Sequence, residues 1–467
     1  MAVLLAALFA ALPLDALGRV VGGSLVTPAD VIASAIALLT LEHLATGRYR
    51  MRMALDNPML MFVAFLVVGA TSIFLSFDAA HLGAKGLVQI GGISIMLLAC
   101  IATANEVSRR PVLFAGLIRL CAMVLGLVAM LGIAQFVCAN ALGHPEMLDF
   151  TFLNRWSGGN VWYNRGRLDG IVRANSILQE PSALGMVLGV GAGVALLRLG
   201  LRGRRCRIAV QDIIPRWSAI AILSGFIVTV SVVDLVLLLA IVVSLWMVSK
   251  RVGAGAFATA SAATIVIGVA SYAAIASTLP EMSEKLSAMD AITSGEIRVK
   301  RAEDLSAIAL AVNVAVMRAN LARDPILGAG LGAHPITYDR ENPGLGRLPA
   351  EIVNIGMNKE DAASLLVRLL SESGILGTAT FIAAWMLAVA RARRFILASL
   401  DATGGPNVFS APAIGMTASM VGIGIACLAR APQYYAPWFW LPMALTAAVP
   451  DLLQRVAREM RRARHAA

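Results

Sequence analysis

Apolar runs of about 17–25 residues recur along this chain, each long enough to cross a hydrocarbon core of roughly 30 Å as a helix. They occupy residues 1–17, 28–46, 59–77, 87–103, 111–136, 184–199, 217–250, 256–275, 365–389, 411–427 and 436–449. In lipid every backbone N–H and C=O must find its partner inside its own segment, so helices are the expected form. The run 217–250 would make one helix of about 50 Å at 1.5 Å per residue, too long for a single crossing. Arg216 precedes it, and Lys250 with Arg251 follows it, so it must cross an even number of times. A tight helical hairpin turning near Thr229, Ser231 and Asp234 meets both demands. The total is about twelve spans, and the fold expected is an all-α integral membrane protein.

The polar intervals alternate in basicity. Arg48, Arg50 and Arg52 follow the second run, Arg109 and Arg110 the fourth, and Arg198 to Arg216 the sixth. Arg391, Arg393 and Arg394 follow the span at 365–389, and the tail is basic from Arg455 to Arg464. The positive-inside bias puts these loops and both termini in the cytoplasm. Residues 1–139 are then N-terminal helices, 140–183 an outer loop with an arginine cluster, and 184–276 central helices. Residues 277–363 form a large outer loop, 364–450 the C-terminal helices, and 451–467 a basic cytoplasmic tail. Within the large loop, 304–322 carries Leu305, Ile308, Val312 and Val316 at helical spacing, which predicts an amphipathic helix on the membrane surface.

Composition agrees with this map. The 467 residues are 58% hydrophobic and 14% charged, with a mean hydropathy of +0.78, too apolar for a soluble chain. A net charge of +11 would suggest nucleic acid in a soluble domain; here the basic residues sit in loops between spans and set topology instead. The first run has no Lys or Arg ahead of it and reads as a span, not a signal peptide. The cysteines are scattered without C-x-x-C spacing, and the histidines are dispersed, so no metal site or cofactor is predicted.

Candidate chemistry lies in the two outer loops. Arg165, Arg167 and Arg173 stand just before a helix start at Glu180-Pro181-Ser182. Guanidinium groups bind phosphate bidentately and a helix N-terminus adds unpaired N–H groups, so together they can hold a pyrophosphate; the plain alternative is snorkelling to lipid headgroups. Glu180 reads as a helix cap, as a partner of one of these arginines, or as a general base. Arg298, Lys300 and Arg301 make a second outer basic group, with Glu296 and Glu303 as ordinary surface partners. Arg368 and Glu372, one turn apart at the entrance of the span from 365, either neutralise each other on entering lipid or orient a substrate group. Gly374 and Gly377 after them allow close helix packing, as do Gly185, Gly189, Gly191 and Gly193 in the sixth run. The segment PILGAGLG at 325–332 follows no predicted strand, which excludes a nucleotide loop; His334 lies just beyond it.

Taken in order, these features resemble the bacterial O-antigen ligase and Wzy-type polysaccharide polymerase membrane proteins. The likeness covers most of the chain. Its parts are the dozen spans, Arg173-Ala174-Asn175-Ser176 running to Glu180-Pro181-Ser182, the long outer loop ending in PILGAGLG, and LLVRLLSESGILG at 365–377 as a closing motif. The resemblance implies a GT-C-like, metal-independent glycosyltransferase of the bacterial inner membrane with its active site facing the periplasm. It implies polymerisation of undecaprenyl-pyrophosphate-linked oligosaccharide repeat units into exopolysaccharide or O-antigen. It carries catalytic roles onto Arg173, Glu180, Arg298 or Arg301, and Glu372; Arg165, Arg167, Lys300, Arg368 and His334 are expected as substrate contacts from their own place in the outer segments. Implied partners are the lipid-linked oligosaccharide, membrane lipid, a chain-length regulator and a flippase. Ligases of the family carry His, often followed by Asn, where this chain has Ala363 and Ser364, which favours the polymerase branch. Val232 stands after Ser231 where many members have Arg. The competing readings are a glycan ligase and a transporter; few mid-span charges and no internal repeat speak against the second.

Overall fold

The computed structural model describes residues 1–14, 17–21, 24–49, 57–75, 79–152, 167–168, 171–178, 180–200, 211–249, 305–341, 358–430 and 434–466. Helices dominate. They are α1 (Ala2–Ala11), α2 (Pro28–Ala45), α3 (Pro58–Leu75), α4 (Ala79–Arg109), α5 (Pro111–Asn140), α6 (Pro181–Gly200), α7 (Arg216–Thr229) and α8 (Val232–Ser249). Beyond the large loop come α9 (Leu305–Arg323), α10 (His334–Glu341), α11 (Leu365–Thr403), α12 (Ser410–Ala429) and α13 (Pro437–Ala466). Seven of these, α2 to α6, α11 and α12, are long and apolar enough to cross a membrane. Two short antiparallel ladders interrupt the helical pattern, β1 (Arg19–Val21) with β2 (Ser24–Val26), and β3 (Arg167–Leu168) with β4 (Ile171–Val172). The expected span at 256–275 lies outside the described residues.

Helix starts follow from sequence. Pro58, Pro111, Pro181 and Pro437 each open a helix, where the missing N–H costs nothing and φ is already helical. Thr27 caps α2 in a reciprocal box with Asp30, in front of Pro28.

The core is built around α6, whose residues from Leu184 to Ala195 are all buried. Its glycines let five residues approach: Asp234 at Gly185, Leu237 at Gly189, Leu125 and Ile222 at Gly191, and the Gly415 carbonyl at Gly193. A second packing centre joins α3, α11 and α13 through Phe62, Phe65, Phe381, Phe439 and Trp440, with ring centroids 4.6–5.9 Å apart.

The turn expected near Thr229 is present, with Val230 in the left-handed region. The tight hairpin is not. From that turn α7 runs along α5 and α6, while α8 runs along α6 and α12. Each packs on α6 at glycines, α8 through Asp234 and Leu237 at Gly185 and Gly189, α7 through Ile222 at Gly191.

Basic loops gather at one end of the bundle. The Tyr49 hydroxyl donates to Glu106 at 2.9 Å, and Arg455 donates to the Ser108 carbonyl at 3.0 Å, so the loop after α2, the end of α4 and the tail meet. The opposite end collects Arg173, the Thr229 turn, the segment before α11 and the segment after α12, as described next.

Candidate functional site

The segment 171–178 is not a surface loop. Two side-chain amides of α5 pair with its backbone as a neighbouring strand would. Asn140 exchanges hydrogen bonds of 2.8 Å with Val172 in both directions. Gln135 takes the Ser176 N–H at 2.7 Å and donates to its carbonyl at 3.0 Å. The Ser176 hydroxyl then reaches the Val128 carbonyl at 2.8 Å. From Asn140 to Val128 is about 18 Å along a helix, so the segment descends deep into the bundle before turning into α6. Irregular backbone is tolerated there because protein, not lipid, satisfies its polar groups.

This re-entrant segment carries Arg173, half-buried, whose Nε donates to the Thr229 carbonyl at 2.9 Å. Burial pulls its pKa below the ordinary guanidinium value, and the Asp234 and Glu180 carboxylates oppose that. Glu180 is held by a charged hydrogen bond from Arg430, which also donates to Ser182. Asp234 is fully buried under Gly185, and neither carboxylate oxygen has a hydrogen bond of good geometry among the described residues, although Thr229 and Ser231 lie close by.

A second group sits where α11 breaks. Gly374 has φ 61° and ψ −164°, so the helix is interrupted there instead of merely packing closely, as the sequence had suggested for this glycine. The PILGAGLG loop supplies the missing partners. Ala329 and Gly330 N–H groups donate to the Ser371 and Glu372 carbonyls at 3.0 and 2.9 Å, and Ile375 and Leu376 donate to the Pro325 and Ile326 carbonyls at 3.0 and 3.1 Å. Leu331 is plugged between α3 and α4 against Gly69 and Gly86.

On the near side of that break Arg368 and Glu372 are both buried, with Nε to Oε2 at 3.4 Å, and the guanidinium lies 4.5 Å from the centre of the Tyr434 ring. Glu372 Oε1 and the Tyr434 hydroxyl lie near each other, and neither has a well-formed hydrogen bond among the described residues. His334 is equally buried. Its Nε2 bonds Asn313 Oδ1 at 2.8 Å and its Nδ1 bonds the Ser371 hydroxyl at 2.7 Å, which in turn accepts from Asn320 Nδ2 at 2.7 Å. An amide oxygen only accepts, so Nε2 carries the proton and Nδ1 receives the Ser371 O–H. Burial, helped by the Arg368 charge, lowers the His334 pKa to about 3. Asn313 and Asn320 show what α9 does: the predicted helix exists, and its inner face carries polar side chains onto α11.

The two groups belong to one end of the molecule. Asp361 feels both Arg368 and Arg430, and the Ser364 hydroxyl, which caps α11, also donates to the Leu428 carbonyl at 2.7 Å. Scanning the chain against protein-family models and against curated proteins gives no match. The site is therefore read from its own chemistry.

Of the residues singled out from the sequence, Arg173, Glu180, Arg368, Glu372 and His334 lie at this end. Arg167 lies in β3, and only its backbone is described. Arg165, Arg298, Lys300 and Arg301 lie outside the described residues. Arg430 and Tyr434 are not among the residues the sequence points to, and Asp234 is named there only at the turn. Arg430 carried a signal: it follows an apolar run that the basic-loop alternation sends outward, so it is an outer arginine against the bias. Among the described residues no three His, Cys, Asp or Glu side chains gather closely enough to hold a metal ion.

Proposed function

We propose that the protein is a lipid-linked glycosyltransferase of the polysaccharide-polymerase type, working at the end of the bundle that carries Arg173. The positive-inside bias makes this end periplasmic, in an inner-membrane protein. One observation carries the reading: Arg173 and Arg430, from segments far apart in sequence, stand together beside the exposed carboxylate of Glu180.

In the reaction an acceptor hydroxyl oxygen forms a bond to the anomeric carbon of a donor sugar, and the bond from that carbon to the pyrophosphate oxygen breaks. The electron pair leaves with the undecaprenyl pyrophosphate. Its growing negative charge is met by fixed guanidinium groups of Arg173 and Arg430, which need no reorganisation as charge develops. Glu180 is accessible and takes the hydroxyl proton. Glu372 is fully buried against Arg368, so its role is to hold that arginine, and His334 is neutral and positions Ser371 and α9 on the break in α11. Arg298 and Arg301 remain candidates for further pyrophosphate contacts.

The test uses purified protein with lipid-pyrophosphate-linked repeat units in the presence of EDTA. A product ladder supports the reading, and Arg173→Ala should abolish it while the protein stays inserted. A capped short acceptor without lengthening would move the assignment to a ligase. No transfer at all from the wild type would remove the glycosyltransferase reading.

A further inference from the structure

At the end opposite Arg173, a cavity of about 490 Å³ opens between α3, α4, α11 and α13. Among the described residues three guanidinium groups line it, from Arg391 on α11 and from Arg455 and Arg458 on α13, and Asp451 is the one carboxylate on its wall. Among the described residues, three positive charges against Asp451 and the Glu459 paired with Arg455 leave a surplus of one, in a recess walled by helices where solvent screens less than on an open surface. Arg455 is held in place: Nε bonds Glu459 at 2.8 Å and one terminal nitrogen donates to the Ser108 carbonyl at 3.0 Å. Among the described residues those two contacts leave three of the five guanidinium N–H donors for another partner. The start of α3 closes one side, where Asn57 Oδ1 accepts the Met59 N–H, and the positive end of that helix adds to the same field. Asn105 supplies a neutral polar group and Met59 and Ile101 an apolar wall.

We infer that this cavity binds a phosphate-bearing anion, either the headgroup of an anionic phospholipid or a soluble phosphate. Planar guanidinium groups from two helices suit a tetrahedral anion with several acceptor oxygens, and the mixed polar and apolar wall suits a headgroup with its glycerol. The volume falls in the range of small-molecule pockets. The inference does not rest on the glycosyl-transfer reading, because no residue of the Arg173 end takes part.

The full-length protein in detergent is titrated with phosphatidylglycerol and with phosphatidylcholine, followed by native mass spectrometry, and separately with inorganic phosphate, followed by thermal shift. Preference for phosphatidylglycerol over phosphatidylcholine identifies a lipid site, and stabilisation by inorganic phosphate a soluble-anion site. In either case the double variant Arg391→Gln with Arg458→Gln should weaken binding about tenfold or more, as expected from losing charged hydrogen bonds, while Arg318→Gln, at an exposed position on α9, leaves it unchanged. If the double variant does not fold, Arg458→Gln alone, which alters an exposed side chain, should weaken binding about threefold. Binding of neither probe, or binding that ignores these substitutions, overturns the inference.

Discussion

Arg430 bonds Glu180 across 250 positions of sequence, tying the residue after α12 to the residue before α6 at the same end of the bundle. Both side chains keep some exposure, 22% and 48%, so the pair contributes no more than about 1 kcal/mol to stability. Its use must lie elsewhere. Arg430→Ala is expected to reduce product ladders about a hundredfold, the scale of losing one preorganised charge-stabilising group, while unfolding temperature stays near wild type. Ladders of wild-type length from that variant would take Arg430 out of the reaction.

His334 behaves oppositely. Buried and doubly bonded, it is structural first, and His334→Ala removes its hydrogen bonds to Asn313 Oδ1 and the Ser371 hydroxyl at a cost of about 2–4 kcal/mol. Its folded pKa, about 3, lies below the ordinary 6.5, so the unfolded chain takes up the proton first. Stability linked to this group is full above pH 6.5 and is lost as pH falls toward 3, at up to about 1.4 kcal/mol per pH unit. Thermal unfolding of wild type and His334→Asn at pH 7.5, 6 and 5 isolates the effect as a difference. Equal pH slopes would mean that the imidazole is not held neutral.

Hydrophobic patterning made the helices legible, because run length and basic flanks report crossing on their own. It found the turn at Thr229 and the Arg368 to Glu372 pair, both local in sequence. It missed what depends on contacts between distant segments. Nothing near Arg173 announces that 171–178 dives into the bundle; the signal is in α5, where Gln135 and Asn140 interrupt an apolar run. Nothing in PILGAGLG itself announces that it closes the break at Gly374; only docking reveals that. The alanine at 363 and Ser364 also gain sense from structure: Ala363 is left-handed, φ 58°, and Ser364 caps α11, so this position is given over to the helix entry.

The loop and the break depend on each other, which makes a sharp prediction. A Cβ at Gly374 would collide with the Ile326 carbonyl in a backbone region essentially limited to glycine. Gly374→Ala should cost about 3 kcal/mol and free the 325–332 loop, seen as faster amide exchange at Ala329 and Gly330. Gly328, φ 69°, faces the same spot, so the double variant with Gly328→Ala should lose much less than the sum of the two. Additive losses would show that the contact is not shared.

Gly185 and Asp234 form a size pair. The Asp234 carboxylate occupies the place where a side chain at 185 would begin, so Gly185→Ala forces α8 away from α6. Overpacking of this kind costs about 1–3 kcal/mol. Asp234→Ala should be far milder, because it removes a buried carboxylate whose oxygens make no well-formed hydrogen bond among the described residues. Combining the two substitutions should recover most of the stability lost by Gly185→Ala, since the new methyl fills the space the carboxylate leaves. The combination also separates structure from chemistry. If thermal stability returns and ladder formation returns with it, Asp234 is a spacer beneath Arg173. If stability returns and ladders do not, the charge of Asp234 is needed beside Arg173 and Arg430 for transfer.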